Sequence, residues 1–497
     1  NYDWGNCAVL AHNTMFDGAI LSWVFDIHPK LFLDTLCMAR GLHGTEVGGS
    51  LKFLADLYEI GEKGDEVDNA LGKHRADFTE EALSRYGDYC IQDTELTYKL
   101  FDIFLKVFPK KELKVIDMTL RMFIDPLLEL DTAKLLDHLD TLKEQKEKLL
   151  EECAIEKEEL MSNPKFAVAL KSLGVVPPTK ISLRTGKKTF AFAKNDVDFK
   201  ALQEHDSSKV QALIAARIGL KSTLEETRTE RFVGIEARVL AWLAGQVNLV
   251  KAFERGEDVY KKMASSIYDK KEVDISGAER FIGKTTILGA GYGMGSVRFK
   301  EQLKGMGVEI DAEECKRIIN VYRSTNSAIT ELWRQAQNVL MGMYQEDRYG
   351  LGKEGVLGVM PEVNGIRLPS GLIMRYEDLK AEEEELGLQF SYKTRRGRVN
   401  IYGGKVIENV CQAIARCVMS DQMIMISKKY RVLLTVHDSV VCCIPDRDID
   451  EAGAYVDTCM RHTPDWAAGL PVRGDVEIGK NYGECTAWVN PHGLLAA

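Results

Sequence analysis

Asp438 interrupts an apolar stretch in which Val432-Leu433-Leu434-Thr435-Val436 and Ser439-Val440-Val441-Cys442-Cys443-Ile444 read as two strands. A carboxylate raised at such a hairpin turn is a poor core residue and a good candidate for chemistry. A second chemical signal lies in 278–295, where Arg280, Lys284, Leu288 and Tyr292 recur every four residues. On a helix this spacing makes one slowly drifting stripe, with two cations a turn apart and an aromatic ring two turns beyond. The cations could neutralise a polyphosphate, and Tyr292 could stack on a base near backbone opened by Gly289, Gly291, Gly293 and Gly295. The same pattern also suits a helix with solvated cations and a glycine-rich stop.

Two further carboxylates sit where elements change. Asp17 follows the strand-like Ala8-Val9-Leu10-Ala11 and opens a helical pattern through Ile20, Leu21 and Val24. Tyr89 and Asp93 are four residues apart on a helix that continues through Leu96, Leu100 and Phe104. A phenol and a carboxylate so placed could orient a water and hold a metal, or could simply mark a surface helix with a half-buried tyrosine. Glu408, Gln412 and Arg416 line one stripe of a helix whose other face carries Val410, Ile414 and Val418, a polar face available to a DNA minor groove. Arg217 and Lys221 repeat the four-residue cation spacing, and Arg184, Lys187 and Lys188 could track phosphates without reading bases.

The elements that must position these residues need several cores, which 497 residues with 45% hydrophobic content can supply. The net charge of -10 does not exclude a nucleic-acid partner, because local basic stripes decide such binding. The 11 cysteines are scattered, without zinc-ligand spacing, and are read as reduced thiols of a cytoplasmic protein. No apolar run is long enough to span a bilayer, so no membrane partner is expected. From 105 to 232 the chain is helical and heavily charged, with Leu135, Leu139, Leu142 and Leu149 striping what reads as an intramolecular helical hairpin. Glu382, Glu383, Glu384 and Glu385 against Lys393, Arg395, Arg396 and Arg398 read as a charged hairpin.

In family order, these segments carry a resemblance. Asn13-x-x-Phe16-Asp17 followed by Tyr89-x-x-x-Asp93 resembles the second and third motifs of the proofreading 3′→5′ exonuclease domain of DNA polymerases. The first motif, Asp-x-Glu, is absent, and the chain opens on Asn1 rather than Met, so it is expected to begin inside a longer protein. The run 233–245 resembles motif A of family A DNA polymerases, Asp-aromatic-Ser-x-Ile-Glu-x-Arg, with Ile235 and Glu236 in place and Arg231 where the aspartate belongs. A missing segment is therefore expected between 232 and 233. Arg280, Lys284 and Tyr292-Gly293 resemble motif B, with Leu288 where Phe or Tyr is common, and Tyr260 stands for a common His. His437-Asp438 resembles motif C, with Ser439 in place of its Glu, and 216–223 resembles the end of a thumb.

The resemblance implies a multidomain α/β protein: a ribonuclease H-like 3′→5′ exonuclease domain (1–108), thumb and connecting helices (109–232), and the palm and fingers of a right-hand polymerase (233–497, fingers roughly 246–335). It implies template-directed DNA synthesis with Mg2+, two ions per active site and Mn2+ as a substitute. Asp438 would hold polymerase metal, and Asp17 and Asp93 exonuclease metal, with Tyr89 placing the water. Arg280 and Lys284 would grip the triphosphate, Leu288 would line the nucleotide site, Tyr292 would abut the templating pair, and Glu236 would crowd a ribose 2′-hydroxyl. Arg217, Lys221, Gln412, Arg416 and His437 would contact DNA. The partners implied are primer-template DNA, deoxynucleoside triphosphates and replisome proteins, for a monomer. The phrasing of 236–243 and 412–416 is similar to phage-encoded members. Arg231 and Ser439 keep open an alternative: a 3′ exonuclease, or a primer-template binder, with an inactive polymerase half.

Overall fold

The computed structural model describes residues 3–44, 48–66, 72–128, 162–181, 188–192, 196–202, 234–306, 308–347, 350–384, 387–395, 397–436 and 438–493, with scattered positions between them. The chain divides into two compact units, one of 1–127, 232–294 and 318–497, the other of 128–231 and 295–317. The leucine-striped hairpin, Lys221, Arg231, the 232–233 junction and His437 lie outside the described residues.

The first unit begins with β1 (Ala8–Ala11), α1 (Thr14–Phe25) and β2 (Leu31–Asp34), a parallel pair with a helical crossover in the register Ala8 to Leu31 through Ala11 to Asp34. Then come α2 (Thr35–His43), α3 (Leu51–Leu57), α4 (Glu80–Leu105) and α5 (Lys110–Ile124). Met38, Leu51, Leu54, Leu96, Leu100 and Phe104 close a core between α2, α3 and α4. The second unit holds α6 (Asn163–Ser172), the antiparallel β3 (Thr179–Ile181) and β4 (Lys188–Phe190), and the short α7 (Val197–Ala201), around Phe166, Leu170, Phe192 and Phe199.

The first unit resumes with α8 (Gly234–Ala244), α9 (Val247–Glu254), α10 (Val259–Tyr268) and α11 (Gly277–Ala290), while α12 (Ser296–Gly305) belongs to the second. After α13 (Ala312–Thr325) and α14 (Ser327–Gln345) the chain turns to strands. The strands β5 (Gly350–Leu351), β6 (Leu357–Met360), β7 (Gly365–Arg367) and β8 (Ile373–Arg375) form an antiparallel meander. The expected charged hairpin is a three-stranded sheet of β9 (Lys380–Glu384), β10 (Gly387–Thr394) and β11 (Gly397–Ile401). Its register sets Glu382 opposite Gln389 and Lys393 opposite Arg398, so acids and cations fall on different strand pairs. Arg398 is relieved by Asp378 at 2.7 Å instead.

Helix α15 (Gly403–Ile426) leads to the antiparallel hairpin β12 (Arg431–Val436) and β13 (Ser439–Cys443), then α16 (Ile449–Arg461), β14 (Val476–Ile478) and β15 (Thr486–Trp488). Val410, Ile414 and Val418 are buried, as the α15 periodicity requires. No helix among the described residues is long and apolar enough to cross a membrane.

Helix α5 falls in the first unit and packs against α1 and β2 on one side and against α15 and β12 on another. Leu120 and Ile124 meet Phe32, while Met118 joins Met423, Ile426 and Val432. Helices α10 and α11 approach so closely that a Cβ on Gly283 would lie 2.2 Å from the Tyr260 carbonyl oxygen. Gly283→Val should therefore destabilise by about 1–3 kcal/mol or more, since the neighbour is backbone and cannot yield. At Gly277 an added Cβ meets nothing within 4 Å. Gly277→Ala should leave the thermal unfolding midpoint unchanged or raised, and the pair measured side by side checks the contact.

Candidate active site

Ser276 caps α11 through a reciprocal pair with Glu279: the Glu279 N–H donates to Ser276 Oγ at 3.3 Å, and the Ser276 N–H donates to Glu279 Oε2 at 2.9 Å. From that start Arg280, Lys284 and Leu288 follow at one-turn spacing, each half-buried. The helix stops at Ala290, so Tyr292 sits on the turn beyond it rather than on the helical stripe. Gly293 makes that turn possible with φ 82°. Trp333 Nε1 donates to the Gly291 carbonyl at 2.8 Å, and Gly404 lies so near that its Cβ would be 2.4 Å from the Tyr292 oxygen. The turn is thereby clamped between α14 and α15.

Arg280 Nε donates to Asp258 Oδ2 at 2.6 Å, and its guanidinium lies over the Tyr260 ring at 5.3 Å. Asp258 also caps α10 by accepting from the N–H groups of Tyr260 and Lys261 at 3.1 Å. Sequence reasoning missed this partner, although an Asp after Gly256 at a helix start was a legible cap. Lys284 has no ion-pair partner among the described residues.

Three carboxylates converge on one neighbourhood. Glu236 comes from the first turn of α8, Glu408 from α15 and Asp438 from the turn between β12 and β13. Burial pushes the Glu236 pKa up, and the charges of Glu408 and Asp438 push it further. Tyr292 shares this surrounding: burial raises its hydroxyl well above the ordinary value, with Cys411, Glu236, Tyr322 and Glu408 adding to the shift. Lys405 answers Glu408 at 2.8 Å. This negative field suits a bound cation in charge. The described residues nevertheless contain no group of three or more His, Cys, Asp or Glu placed to hold a metal ion.

The residues expected to meet DNA are dispersed. Gln412 is exposed on α15. One turn on, Arg416 closes a two-pronged bond with Glu112 of α5, Nη1 to Oε1 at 2.6 Å and Nη2 to Oε2 at 2.7 Å. Arg217 is fully buried in the second unit, stacked on Phe166 at 4.6 Å and bonded to Asn163. Two of its nitrogens have no partner among the described residues, and burial lowers its pKa to about 10. Its side chain serves that core rather than the surface expected of a phosphate contact.

In the first half, Asp34 is the organiser, and sequence reasoning passed over it. It is 1% exposed and accepts from the N–H groups of Asn13, Thr14, Leu36 and Cys37 at 2.7 to 3.2 Å. These bonds hold Asn13 at φ 74° and start both α1 and α2 from the ends of the parallel strands. Asp17 follows in the first turn of α1, and although its side chain reaches solvent, the protein packed around it and the charge of Asp34 push its pKa up. Tyr89 and Asp93 do share a face of α4, and both meet Lys63, whose amine donates to Asp93 Oδ2 at 2.5 Å and to the Tyr89 hydroxyl. The charged neighbours found are Asp34 for Asp17 and Lys63 for Asp93. Beside them His12 Nε2 donates to the Gly49 carbonyl at 2.9 Å, which leaves Nδ1 to accept from Thr35.

Residues 228–343 match the model of DNA polymerase family A, a span that holds Glu236, Arg280, Lys284 and Tyr292. Over that stretch the chain is similar to family A DNA polymerases. Among its relatives, the DNA polymerase of Bacillus phage SP02 is 27% identical over 257 residues, 49% of this chain and 39% of the phage protein. The DNA polymerase I of Borreliella burgdorferi is 24% identical over 50% of this chain and 24% of its own length, and that of Aquifex aeolicus 24% over 59% and 45%. The matched regions thus span less than half of each relative. The fold is similar to that of the POL domain of Pol1 from M. smegmatis, solved in complex with DNA primer-template and dNTP, at a TM-score of 0.63 and 16% identity over 93% of this chain and 84% of that one.

The Glu112 pairing makes Arg416 a test of position against contact. Arg416→Ala leaves a 3% exposed carboxylate without its cation, which should cost about 3 kcal/mol in thermal or denaturant unfolding. Primer-template affinity should stay within about twofold, whereas a contact to DNA phosphate would show as a uniform loss of binding and a shallower salt dependence.

Proposed function

We propose that this chain carries the template-directed DNA synthesis of that family, adding deoxynucleotides to a primer 3′ end, with a 3′→5′ exonuclease in its first half. One observation carries the reading: α8, α15 and the β12–β13 hairpin bring Glu236, Glu408 and Asp438 to a single neighbourhood, with Tyr292, on the turn after α11, beside Glu236 and Glu408. Lys284 and Arg280 hold the triphosphate of the incoming nucleotide. For Arg280 this means exchanging one carboxylate oxygen of Asp258 for a phosphate oxygen, a swap between like partners. Tyr292, fixed by its clamped turn, supplies the flat face against which the new base pair is set. Glu236, half-buried at the start of α8, excludes a 2′-hydroxyl at the sugar.

Asp438 would hold magnesium, or manganese in its place, which when bound neutralises charge on the transferring phosphoryl group and lowers the pKa of the primer hydroxyl. The motif A aspartate has no counterpart among the described residues, and its supply from a missing segment is part of this proposal. The relatives in two Bacillus phages support a role in phage DNA replication.

Asp438→Ala should abolish primer extension while primer-template affinity stays within a few-fold, because the change removes a metal-holding carboxylate and no DNA contact. Extension near the wild-type rate in a gel assay with all four nucleotides would overturn the assignment. Glu236→Ala should relax sugar choice. If the wild-type carboxylate imposes a few kcal/mol on a ribose, the kcat/KM ratio of deoxynucleotide to ribonucleotide is about a hundred to a thousand, at tenfold per ~1.4 kcal/mol, and the variant should bring it down. An unchanged ratio with both sugars slowed equally would make Glu236 structural instead.

A further inference from the structure

The Tyr89–Asp93 pair already has a cation. Lys63 lies in the segment between α3 and α4, and its ammonium is bonded to Asp93 Oδ2 at 2.5 Å, bonded to the Tyr89 hydroxyl, and placed 4.3 Å from the centre of the Tyr89 ring. Its side chain is only 18% exposed and that of Asp93 26%. Position, rather than chance reach, holds it there. Gln92 Nε2 donates to the Glu62 carbonyl at 2.6 Å, and Lys99 Nζ donates to the Ile60 carbonyl at 3.2 Å. Backbone on the near side of Lys63 is thus tied to α4, while Tyr89 stacks on Tyr86 with ring centres 5.8 Å apart. An ammonium fixed in this way has already lost the freedom that makes most exposed lysine pairs weak.

The other oxygen of Asp93, Oδ1, is buried and has no hydrogen-bond partner among the described residues. An ionised carboxylate with one oxygen on an ammonium and one oxygen bare is half satisfied. It has room for one more electropositive ligand, but any divalent ion that takes it must sit against the positive charge of Lys63. The residues here therefore fit a pair of divalent ions poorly, because the carboxylate such a pair would share is already engaged by the protein itself.

We propose that Lys63 determines the metal requirement of this site: its ammonium occupies Asp93 as a built-in cation, competes with divalent metal there, and leaves the site able to take at most one such ion, weakly. The inference rests on the reading of Tyr89 and Asp93 as parts of a phosphodiester-cleaving site. Lys63 acts on the metal through Asp93, so it is a positioning residue. Its role is read from metal binding rather than from turnover.

The test uses the full chain with Asp438→Asn present throughout, so that the polymerase carboxylate does not contribute, and titrates Mn2+ by electron paramagnetic resonance. Lys63→Met keeps an unbranched side chain one atom shorter and removes its charge, and should tighten Mn2+ binding at least tenfold, at a site that Asp93→Asn abolishes. Lys63→Arg keeps the charge and should bind as the parent does. Lys63→Gln serves in place of Lys63→Met if circular dichroism shows the latter unfolded. Unchanged or weaker Mn2+ binding in the folded neutral variants, with the Asp93→Asn loss intact, overturns the role of Lys63 and leaves the nuclease reading standing. Mn2+ binding and trimming of single-stranded 3′ ends that are both indifferent to Asp93→Asn would overturn the nuclease reading, and the role of Lys63 with it.

Discussion

The bond between Glu112 and Arg416 joins two helices that are 304 residues apart in the chain, and much of the first unit depends on it. Glu112 is 3% exposed, so its charge is tolerable only because a guanidinium meets both oxygens. The same helix α5 offers Asp117 to the Phe32 N–H at 2.8 Å, and Arg121 to the Pro29 carbonyl at 2.8 Å and to Asp117 and Asp125. Arg431, from the start of the β12–β13 hairpin, reaches the Asp125 carbonyl. One amphipathic helix thus registers the parallel β1–β2 pair against the hairpin that raises Asp438. It does so with apolar contacts on one set of positions and charged bonds on another.

Charge is arranged differently in the two halves. Around Asp438 negative groups accumulate, and the pressure of Glu408 and Asp438 on Glu236 is a field that a cation would relieve. Around Asp93 the protein neutralises its own carboxylate with Lys63. The cationic stripe of α11 shows both strategies within one turn. Arg280 rests on Asp258, while Lys284 has no ionic partner among the described residues. A resting partner orients a guanidinium and spares it the entropy of searching.

Periodicity and punctuation make several elements legible in the chain itself. The buried Val410, Ile414 and Val418 of α15, the hairpin around Asp438, the shared face of Tyr89 and Asp93 and the helical run of Arg280, Lys284 and Leu288 all follow from local spacing. Where local rules compete with long-range packing they lose. Tyr292 continues a four-residue spacing but lies beyond the helix, because Gly291 and Gly293 end it where α14 and α15 press on the turn. Arg217 and Arg416 carry the spacing of surface cations, yet one is buried against Phe166 and the other is paired with Glu112. A cation's sequence neighbours do not say which distant carboxylate or ring will claim it.

The sequence by itself determined which residue types stand at strand ends and on helix faces: Asp17 at the opening of a helix, Asp438 at a hairpin turn, Arg280 and Lys284 a turn apart, Tyr89 above Asp93. These are consequences of 3.6-residue and two-residue repeats, which local covalent geometry enforces. Only the tertiary structure decided which charges face one another. Asp34 became the cap that starts α1 and α2, Asp258 the partner of Arg280, Glu112 that of Arg416, and Lys63 the cation of Asp93. Each of those pairings requires bringing together groups from separate elements, and Coulomb attraction falls so steeply in water that it selects partners only after apolar packing has excluded the solvent between them.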